Sequence, residues 1–447
     1  MSDTRTSSNR ENFKSRWGFI LASIGSAVGM GNIWRFPIMV SRYGGLTYLI
    51  PYIIFVFLLS RTGVIEEFTL GRAAGAGPVG AFGMCTERRG NRNIGEAIGV
   101  LPVLGSLGLA IGYTVVMGWV FRYTFIACSG EMFAMQQNMD TIVGSFERIA
   151  SAQGANIWIV LAIVVTFVIM VLGVSRGIEK VNKVLIPTLF CLFVVLAVYI
   201  ALLPGAVNGY KYIFTLNPAG LADPNVWLYA FGQAFFSLSV AGNGSIIYGS
   251  YLGRSESIPT AARYVALFDL IAASLAAIVI LPAMAAGGIS CDTSGPGLMF
   301  IYLVNVLNGM PLGRIVGVVF FICVLFAGIT SIINLYEVSV AFMQDRLFFK
   351  RLPATALILL FGGAIAICIQ AITSEWMDII SIYICPLGAL LAGIMFFWVC
   401  ERDFAESHVN LGSEKKIGKW FYPLGKYVYC PLALLALIAG AVLDGIG

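Results

Sequence analysis

Eleven apolar segments, each long enough to cross a lipid bilayer, follow one another along the 447-residue chain. They fall near residues 18–40, 45–71, 94–126, 157–174, 183–204, 226–252, 262–287, 313–346, 355–373, 377–400 and 428–446. About 20 apolar residues in a helix cross a bilayer. Since 59% of the residues are hydrophobic and only 11% are charged, the chain is predicted to be an all-α polytopic membrane protein with 11 transmembrane helices.

Lys and Arg are distributed unevenly between the connections. If the N-terminus lies inside, the inner connections hold 21 of these residues and the outer connections hold five. Because cytoplasmic connections carry the excess of basic residues, we predict a multi-pass protein of the cell (inner or plasma) membrane. Its N-terminus is then cytoplasmic and, with an odd helix count, its C-terminus is outside. Topology and membrane lipid account for the net charge of +5, so no nucleic-acid partner is predicted.

Two of the predicted spans contain a break rich in glycine and small polar residues. Residues 24–37 read Ile-Gly-Ser-Ala-Val-Gly-Met-Gly-Asn-Ile-Trp-Arg-Phe-Pro, and residues 237–245 read Ser-Leu-Ser-Val-Ala-Gly-Asn-Gly-Ser. An unwound segment at membrane depth needs protein, water or a bound solute to pair its backbone groups. For either break alone, close helix packing through small residues is the alternative.

The two breaks lie five spans apart. This spacing predicts two inverted-topology repeats, residues 18–204 (helices 1 to 5) and 226–400 (helices 6 to 10), whose broken first helices meet at a midplane binding site. The rest of the chain is predicted to be a cytoplasmic N-terminal segment (1–17), a cytoplasmic loop (401–427) and an eleventh helix (428–447).

Charged residues inside the spans are candidates for function because their burial is costly. The candidates are Arg35, Arg61 with Glu66 and Glu67, Asp269 and Asp345. For Arg61 and the two glutamates, a structural ion pair is an equal alternative to function. Asp269 has only Arg263 near it in sequence, so a bound cation is its natural partner.

The eighth span places the hydroxyls of Thr330 and Ser331 beside small residues. Hydroxyl and carbonyl oxygens without a full charge suit a hard monovalent cation such as sodium. Alternatively, both hydroxyls bond to carbonyls one turn earlier in their own helix.

Two features outside the spans leave alternatives open. The short apolar run 298–307 is either a re-entrant or capping segment over an outer vestibule or an ordinary surface helix. Cys128 and Cys291 are both predicted to lie in or near segments on the outer side of the membrane, but the sequence does not show that they form a disulfide. No Cys/His, Ser/His or metal-ligand cluster occurs among the spans, so an enzyme is not predicted.

Four motifs together resemble the neurotransmitter:sodium symporter family, in its bacterial amino-acid transporter branch. They are GSAVGMGNIWRFP (25–37), IGYTVVMGW (111–119), FFSLS (235–239) and AGITS (327–331). The resemblance spans essentially the whole chain and implies sodium-coupled import of an L-amino acid by alternating access, with two sodium ions and no organic cofactor. A transport-inactive amino-acid sensor of the same fold is the alternative, against which the retention of both sodium sites and both gates argues.

The resemblance assigns residues to the two sodium sites. The first would use the Ala27 carbonyl, Asn32, Ser237 and Asp269, together with the substrate carboxylate. The second would use the carbonyls of Gly25, Val28 and Ala327 with the hydroxyls of Thr330 and Ser331. Many members have Asn at position 269. Asp269 is therefore expected to supply the charge that chloride provides in animal relatives, with Glu67 as a second acid, and transport is expected to be independent of chloride.

The resemblance also implies where the substrate lies. Its carboxylate would meet the backbone N–H groups near Gly31 and the Tyr113 hydroxyl, and its amino group would meet carbonyls near Ala27, Phe236 and Ser239. Amine-transporting members carry Asp at the position of Gly29, so glycine here favours a substrate with its own carboxylate. The remaining substrate-binding positions are Leu109, Ser237, Gly242, Asn243, Ser331, Ile332 and Leu335.

The sixth-helix break departs from the family pattern at Gly242 and Asn243. Gly242 replaces a bulky apolar residue and enlarges the pocket, while Asn243 offers a donor and an acceptor. We therefore expect a larger hydrophobic, aromatic or partly polar amino acid.

Residues at both ends of the path match the family's gates. Phe236 and Tyr113 would cover the substrate, with Arg35 outside them. The position at which the family usually has the acidic partner of Arg35 is Ser381 in this chain, and Asp378 lies one turn away. On the inner side, the closing pair would be Arg10 and Asp345, next to Tyr251. The spacing from Gly177 to Pro187 matches a helix-five motif linked in the family to unwinding and water entry toward the second sodium.

Overall fold

In the computed structural model, residues 11–240, 242–288, 297–443 and 445 are described. All regular secondary structure in these ranges is helical, with no strand among the described residues. The helices are α1 (Arg16–Ala27), α2 (31–43), α3 (Gly45–Ala74), α4 (Pro78–Glu87), α5 (Arg92–Ser129), α6 (Met139–Ala150), α7 (Asn156–Val171), α8 (Val174–Ala201), α9 (Ala206–Ile213), α10 (Pro224–Ser237), α11 (Gly244–Ser250), α12 (Ile258–Ala286), α13 (Leu298–Gly309), α14 (Gly313–Leu347), α15 (Arg351–Cys368), α16 (Gln370–Val399), α17 (Arg402–Asn410) and α18 (Phe421–Val442).

Within the described part of the chain, eight helices are long and apolar enough to span a bilayer: α3, α5, α8, α12, α14, α15, α16 and α18. The other three predicted spans correspond to shorter pieces. The fourth is α7, which has 16 residues. The first and sixth are each divided, the first into α1 and α2 and the sixth into α10 and α11.

The start of α8 differs from the predicted span, which was expected to begin near residue 183. The helix begins at Val174, directly after Gly173 with a left-handed φ of 85°. Its first turns carry Glu179 and Asn182, which are buried. Hydropathy hides this part of the helix because its polar side chains face protein rather than lipid or water.

The two divided helices lie side by side in the centre of the bundle. Helix α1 packs against α8, α12 and α14, and the first turn of α2 packs against α12. Helix α10 packs along the first half of α3, and α11 packs along its second half. Both breaks are therefore enclosed by protein, as irregular backbone at membrane depth requires.

The apolar run 298–307 forms most of α13, one face of which is covered. Phe300 lies 4.8 Å from the Tyr123 ring and 5.3 Å from the Phe146 ring, measured between centroids. Asn308 Nδ2 donates to the Met132 carbonyl at 3.0 Å. Helix α13 thus packs on α5 and α6 near the C-terminal end of α5, and a turn at residues 310–312 leads directly into α14.

Helices α3 and α11 approach closely enough that only glycine fits at their crossing. A Cβ atom added to Gly71 would lie 1.8 Å from the carbonyl oxygen of Ile246, and one added to Gly249 would lie 2.5 Å from that of Phe68. The obstacle in each case is backbone, which no side-chain rotation can remove.

Gly71→Ala is therefore expected to destabilise the protein by about 1–3 kcal/mol, the usual cost of overpacking. The measurement is thermal or chemical unfolding of the purified protein in detergent. Gly144→Ala in α6 is the matched control, because a Cβ there meets no atom within 4 Å and Ala has the higher helix propensity. Equal stability of the two variants would contradict the proposed crossing.

Candidate functional site

The first break separates α1 from α2. Helix α1 ends at Ala27, and Val28 leaves helical geometry with φ −76° and ψ 87°. The Asn32 side-chain oxygen accepts the Gly29 N–H at 3.3 Å, and Gln233 Nε2 of α10 donates to the Gly31 carbonyl at 3.2 Å. The carbonyl end of α1, which favours cations, therefore faces the N–H end of α2, which favours anions.

The second break separates α10 from α11, and its residue Ala241 lies outside the described residues. Ser239 and Asn243 adopt left-handed φ angles of 56° and 51°. Such a conformation costs a non-glycine residue of order 1–3 kcal/mol and persists where surrounding contacts impose it. One such contact is the Ser239 hydroxyl, which donates to the Ser26 carbonyl at 2.6 Å and ties the two breaks together.

A buried carboxylate of α12 lies beside both breaks. Asp269 is fully buried. Its Oδ1 accepts Asn32 Nδ2 at 2.8 Å and the Ser237 hydroxyl at 2.7 Å, and its Oδ2 accepts the Tyr52 hydroxyl at 3.2 Å. We call Asp269, Asn32, Ser237 and Tyr52 the first oxygen cluster.

The first oxygen cluster has the composition of a monovalent cation site. No basic side chain forms an ion pair with Asp269 in the described ranges, and those ranges contain no group of three His, Cys, Asp or Glu residues suited to a metal ion. One carboxylate beside the neutral hydroxyl oxygens of Ser237 and Tyr52 fits sodium, whereas calcium sites use several carboxylates. The Asn32 amide is turned so that its nitrogen faces the carboxylate and its oxygen faces the Gly29 N–H. Tyr52 is a member that the sequence analysis did not identify.

Oxygen atoms of α1 and α14 form a second group. The Ser331 hydroxyl lies 3.5 Å from the Gly25 carbonyl oxygen across the interface. The Thr330 hydroxyl bonds back to the Ala327 carbonyl at 3.0 Å. The sequence alternative that both hydroxyls bond within their own helix therefore holds for Thr330 but not for Ser331. We call Gly25, Ala327, Thr330 and Ser331 the second oxygen cluster, to which the family resemblance also assigns the Val28 carbonyl. It consists of carbonyl and hydroxyl oxygens alone, which also suits a hard monovalent cation.

An open cavity lies between the two breaks, α5 and α14, with a volume of about 430 Å³ when the solvent space at its mouth is included. Its lining residues are Ser26, Ala27, Gly29, Gly31, Asn32, Leu109, Tyr113, Phe236, Ser237, Ser239, Gly242, Ser331, Asn334 and Leu335. Ser26 and Asn334 are additional to the residues expected from the sequence. Asn334 lies three residues after Ser331, on the same face of α14, and this helical spacing could have identified it.

Two residues expected to line the pocket do not line the cavity. Ile332 is fully buried elsewhere in α14. Asn243 directs its side chain away, because a Cβ added to Gly388 in α16 would lie 3.0 Å from Asn243 Nδ2. Both polar atoms of the Asn243 amide lack a hydrogen-bond partner among the described residues. The donor and acceptor expected in the pocket therefore face α16.

Aromatic and charged side chains cover one end of the cavity. The Phe236 ring lies 3.0 Å from the position that a Cβ on Gly31 would occupy. The Arg35 guanidinium carbon lies 5.1 Å from the centre of that ring. Tyr113 and Asp378 both act electrostatically on Arg35, whereas the Ser381 hydroxyl bonds to the Met377 carbonyl of its own helix at 2.7 Å. Of the two candidate partners in α16, only Asp378 carries a charge that acts on Arg35.

On the inner side, the expected closing pair is Arg10 and Asp345. Arg10 lies outside the described residues, so only Asp345 can be located. Asp345 Oδ2 accepts the Gly77 N–H at 3.3 Å. Asp345 also lines a smaller cavity of about 200 Å³ with residues of α4 and α14.

Tyr251 belongs to a buried network that the sequence analysis missed. Its hydroxyl donates to Glu337 Oε1 at 2.7 Å. Arg351 binds both oxygens of the same carboxylate at 2.8 Å each, and its Nε donates to the Met170 carbonyl at 2.9 Å. The network joins the end of α11 to α7, α14 and α15. The rule that intramembrane charges are costly applies to Glu337 as well and could have identified it.

The structural ion pair between Arg61 and the two acids of α3, one of the two alternatives left open by the sequence, is not formed in the described part of the chain. Arg61 is exposed, whereas Glu66 and Glu67 are fully buried. Neighbouring residues of one helix point about 100° apart, so a charge at position 61 reaches lipid or water while positions 66 and 67 face the bundle. Cys128 is a free, exposed thiol, and its suggested partner Cys291 lies outside the described residues.

Comparison with known proteins decides the family. The model of the sodium:neurotransmitter symporter family matches residues 10–141 and 130–439. The chain belongs to this family. An uncharacterized sodium-dependent transporter of Methanocaldococcus jannaschii is 32% identical over 453 residues, covering 96% of this chain and 90% of that protein. The uncharacterized sodium-dependent transporter YhdH of Bacillus subtilis is 28% identical over 452 residues, covering 96% and 97%.

The fold also matches that of a solved structure. The crystal structure of MhsT in complex with L-phenylalanine superimposes with a TM-score of 0.85 at 31% identity, covering 96% of this chain and all of that one. The relatives are named as transporters rather than enzymes. This symporter-family member is therefore a multi-pass membrane protein with an MhsT-like helical fold.

Proposed function

We propose that this family member is a sodium-coupled symporter that imports an L-amino acid by alternating access. The observation that carries the proposal is the position of the first oxygen cluster. Asn32 and Ser237 contact the Asp269 carboxylate and also line the cavity. A cation held there would lie next to whatever fills the cavity, so the two would bind together.

The cavity is proposed to hold the amino acid by its backbone groups. The N–H groups and the positive dipole end at the start of α2 favour a carboxylate, and Tyr113 lines the same space. The L-phenylalanine bound to MhsT, a protein of the same fold, supports an amino acid with a large side chain as substrate.

Two sodium ions are proposed as co-substrates, one at each oxygen cluster, with no organic cofactor. A membrane potential of 100 mV supplies about 2.3 kcal/mol for each charge that moves inward, which is enough for roughly a fifty-fold substrate gradient. The Asp269 carboxylate is proposed to balance the first sodium, with Glu67 as a second acid, so transport is proposed not to require chloride.

The proposed topology has eleven membrane spans. These are the eight long apolar helices, α7, and two broken spans formed by α1 with α2 and by α10 with α11. The proposed repeats are residues 18–204 and 226–400, followed by a cytoplasmic loop (401–427) and a last helix that ends outside. The basic residues place the N-terminal segment (1–17) in the cytoplasm.

Uptake into proteoliposomes tests the proposal directly. Purified protein should accumulate a radiolabelled amino acid, chosen by thermal-shift screening, only under an inward sodium gradient, and replacing chloride by gluconate should leave uptake unchanged. Counterflow distinguishes a transporter from a sensor of the same fold. Sodium-dependent binding without uptake or counterflow would favour the sensor and refute symport.

The width of the cavity at Gly242 provides a selectivity prediction. Gly242 has no left-handed φ, and an added Cβ would lie 3.4 Å from Leu335 Cδ2 and 3.7 Å from the Ser239 carbonyl oxygen, both ordinary contact distances, so the backbone tolerates larger residues. Gly242→Leu is expected to weaken the binding of aromatic amino acids at least about tenfold, while small amino acids retain their affinity. A change of one methylene in a hydrophobic pocket alters the discrimination between two substrates by about 1–3 kcal/mol. Competition binding in sodium with phenylalanine and alanine measures it, and equal losses for both would contradict it.

A further inference from the structure

Helix α8 contains a buried amide oxygen without a partner. Asn182 is fully buried, and its Nδ2 donates to the Ile178 carbonyl of the same helix at 2.9 Å. Its Oδ1 has no hydrogen-bond partner among the described residues. Because a carbonyl oxygen can only accept, the NH₂ group must be the one that faces Ile178, which fixes the orientation of the amide.

The free oxygen points at α1, next to the second oxygen cluster. A Cβ added to Gly25 would lie 2.1 Å from Asn182 Oδ1 and 3.0 Å from the Cβ of Thr330. The Gly25 carbonyl oxygen is itself 3.5 Å from the Ser331 hydroxyl. Asn182 of α8, Gly25 of α1 and Thr330 of α14 therefore meet around one point.

A buried acceptor is normally paired, since leaving it unpaired forfeits the hydrogen bond that it made with water. The Asn182 oxygen lies where any side chain at position 25 would be, so this contact requires glycine in α1. Amide oxygens are common ligands of hard cations. A cation in the second oxygen cluster would give the Asn182 oxygen the positive partner that the protein does not provide.

We propose that Asn182 Oδ1 is an additional oxygen ligand of the second sodium site, contributed by α8 beside the Gly25 carbonyl. This assignment rests on the proposed sodium symport.

Sodium binding to the full chain in detergent tests the assignment without any organic substrate. Thermal stability is titrated with NaCl at constant ionic strength in choline chloride. Asn182→Ala is expected to raise the half-saturating sodium concentration roughly tenfold, in the range found when groups that support a metal site are removed. Asn182→Asp, which replaces the amide oxygen by a charged one, is expected to lower it.

Two controls separate the possible failures. Val184→Ala, in the same helix but 63% exposed, should titrate like the wild type, and Thr330→Ala should bind sodium weakly. If the wild type shows no sodium response, the proposed function and this assignment both fail. If Thr330→Ala is weakened while Asn182→Ala and Asn182→Asp both match the wild type, symport stands and the Asn182 assignment is wrong.

A folding defect in one variant leaves the other decisive. Should Asn182→Ala not yield folded protein, an unchanged sodium titration of Asn182→Asp overturns the assignment, and a lowered half-saturation supports it.

Discussion

Asp269→Asn is expected to raise the sodium concentration that half-saturates binding at least about 30-fold. The variant keeps the shape of the side chain but removes the charge on which Asn32, Ser237 and Tyr52 converge. Losing one partner of a buried charge interaction costs about 2–5 kcal/mol, and 2 kcal/mol corresponds to about 30-fold in affinity. Sodium titration of amino-acid binding and of uptake measures the effect.

The same variant tests the role of charge balance. If Asp269 replaces a bound anion, Asp269→Asn should gain stimulation by chloride that the wild type lacks. Asp140→Asn, an exposed acid in the first turn of α6, should leave sodium dependence unaltered. Unchanged sodium and chloride dependence in Asp269→Asn would remove Asp269 from the proposed site.

Arg351→Met is expected to destabilise the protein by about 3–5 kcal/mol. The Glu337 carboxylate is completely buried and Arg351 is 11% exposed, so the substitution leaves an uncompensated charge inside the bundle. Replacing both partners removes that charge. The double variant Arg351→Met with Glu337→Gln should therefore recover a large part of the loss, as buried ion pairs replaced as a unit often do.

Unfolding of the four proteins in the same detergent completes this cycle. The exposed Arg148 of α6, whose side chain bonds only within its own helix in the described structure, provides the control Arg148→Met with no expected change. A double variant no more stable than Arg351→Met alone would show that the two side chains are not coupled.

The helical architecture could largely be predicted from the sequence, for a physical reason. Hydrocarbon admits only helices here, so hydropathy alone locates most spans, and the glycines near residues 29 and 242 mark the places where the first and sixth helices divide. The motif FFSLS also led to Ser237 and Ser239, which the structure brings to the cavity. The family and an all-helical, MhsT-like fold are confirmed by the family model and the MhsT structure, whereas the eleven-span count and the inverted repeat stay predictions.

Contacts between distant segments were not accessible in the same way. Glu337 and Arg351 are on different helices, and nothing in the intervening residues indicates that their side chains converge. Asn243 was expected in the pocket, but a left-handed φ of 51° turns its side chain toward α16. Asn182 was not considered because a lone amide in a polar stretch resembles a surface residue until the packing of α8 on α1 is known.

The hydrogen bonds between the breaks have a mechanical consequence. Ser239 holds the Ser26 carbonyl at 2.6 Å, and Gln233 holds the Gly31 carbonyl at 3.2 Å, so each half of the first broken helix is fastened to the second. Asn334 of α14 also donates to the Gly244 carbonyl of α11 at 3.4 Å. A displacement of either half of the first broken helix would therefore strain a hydrogen bond to α10 or to the residues that follow it. The backbone that faces the cavity is thus braced across both breaks.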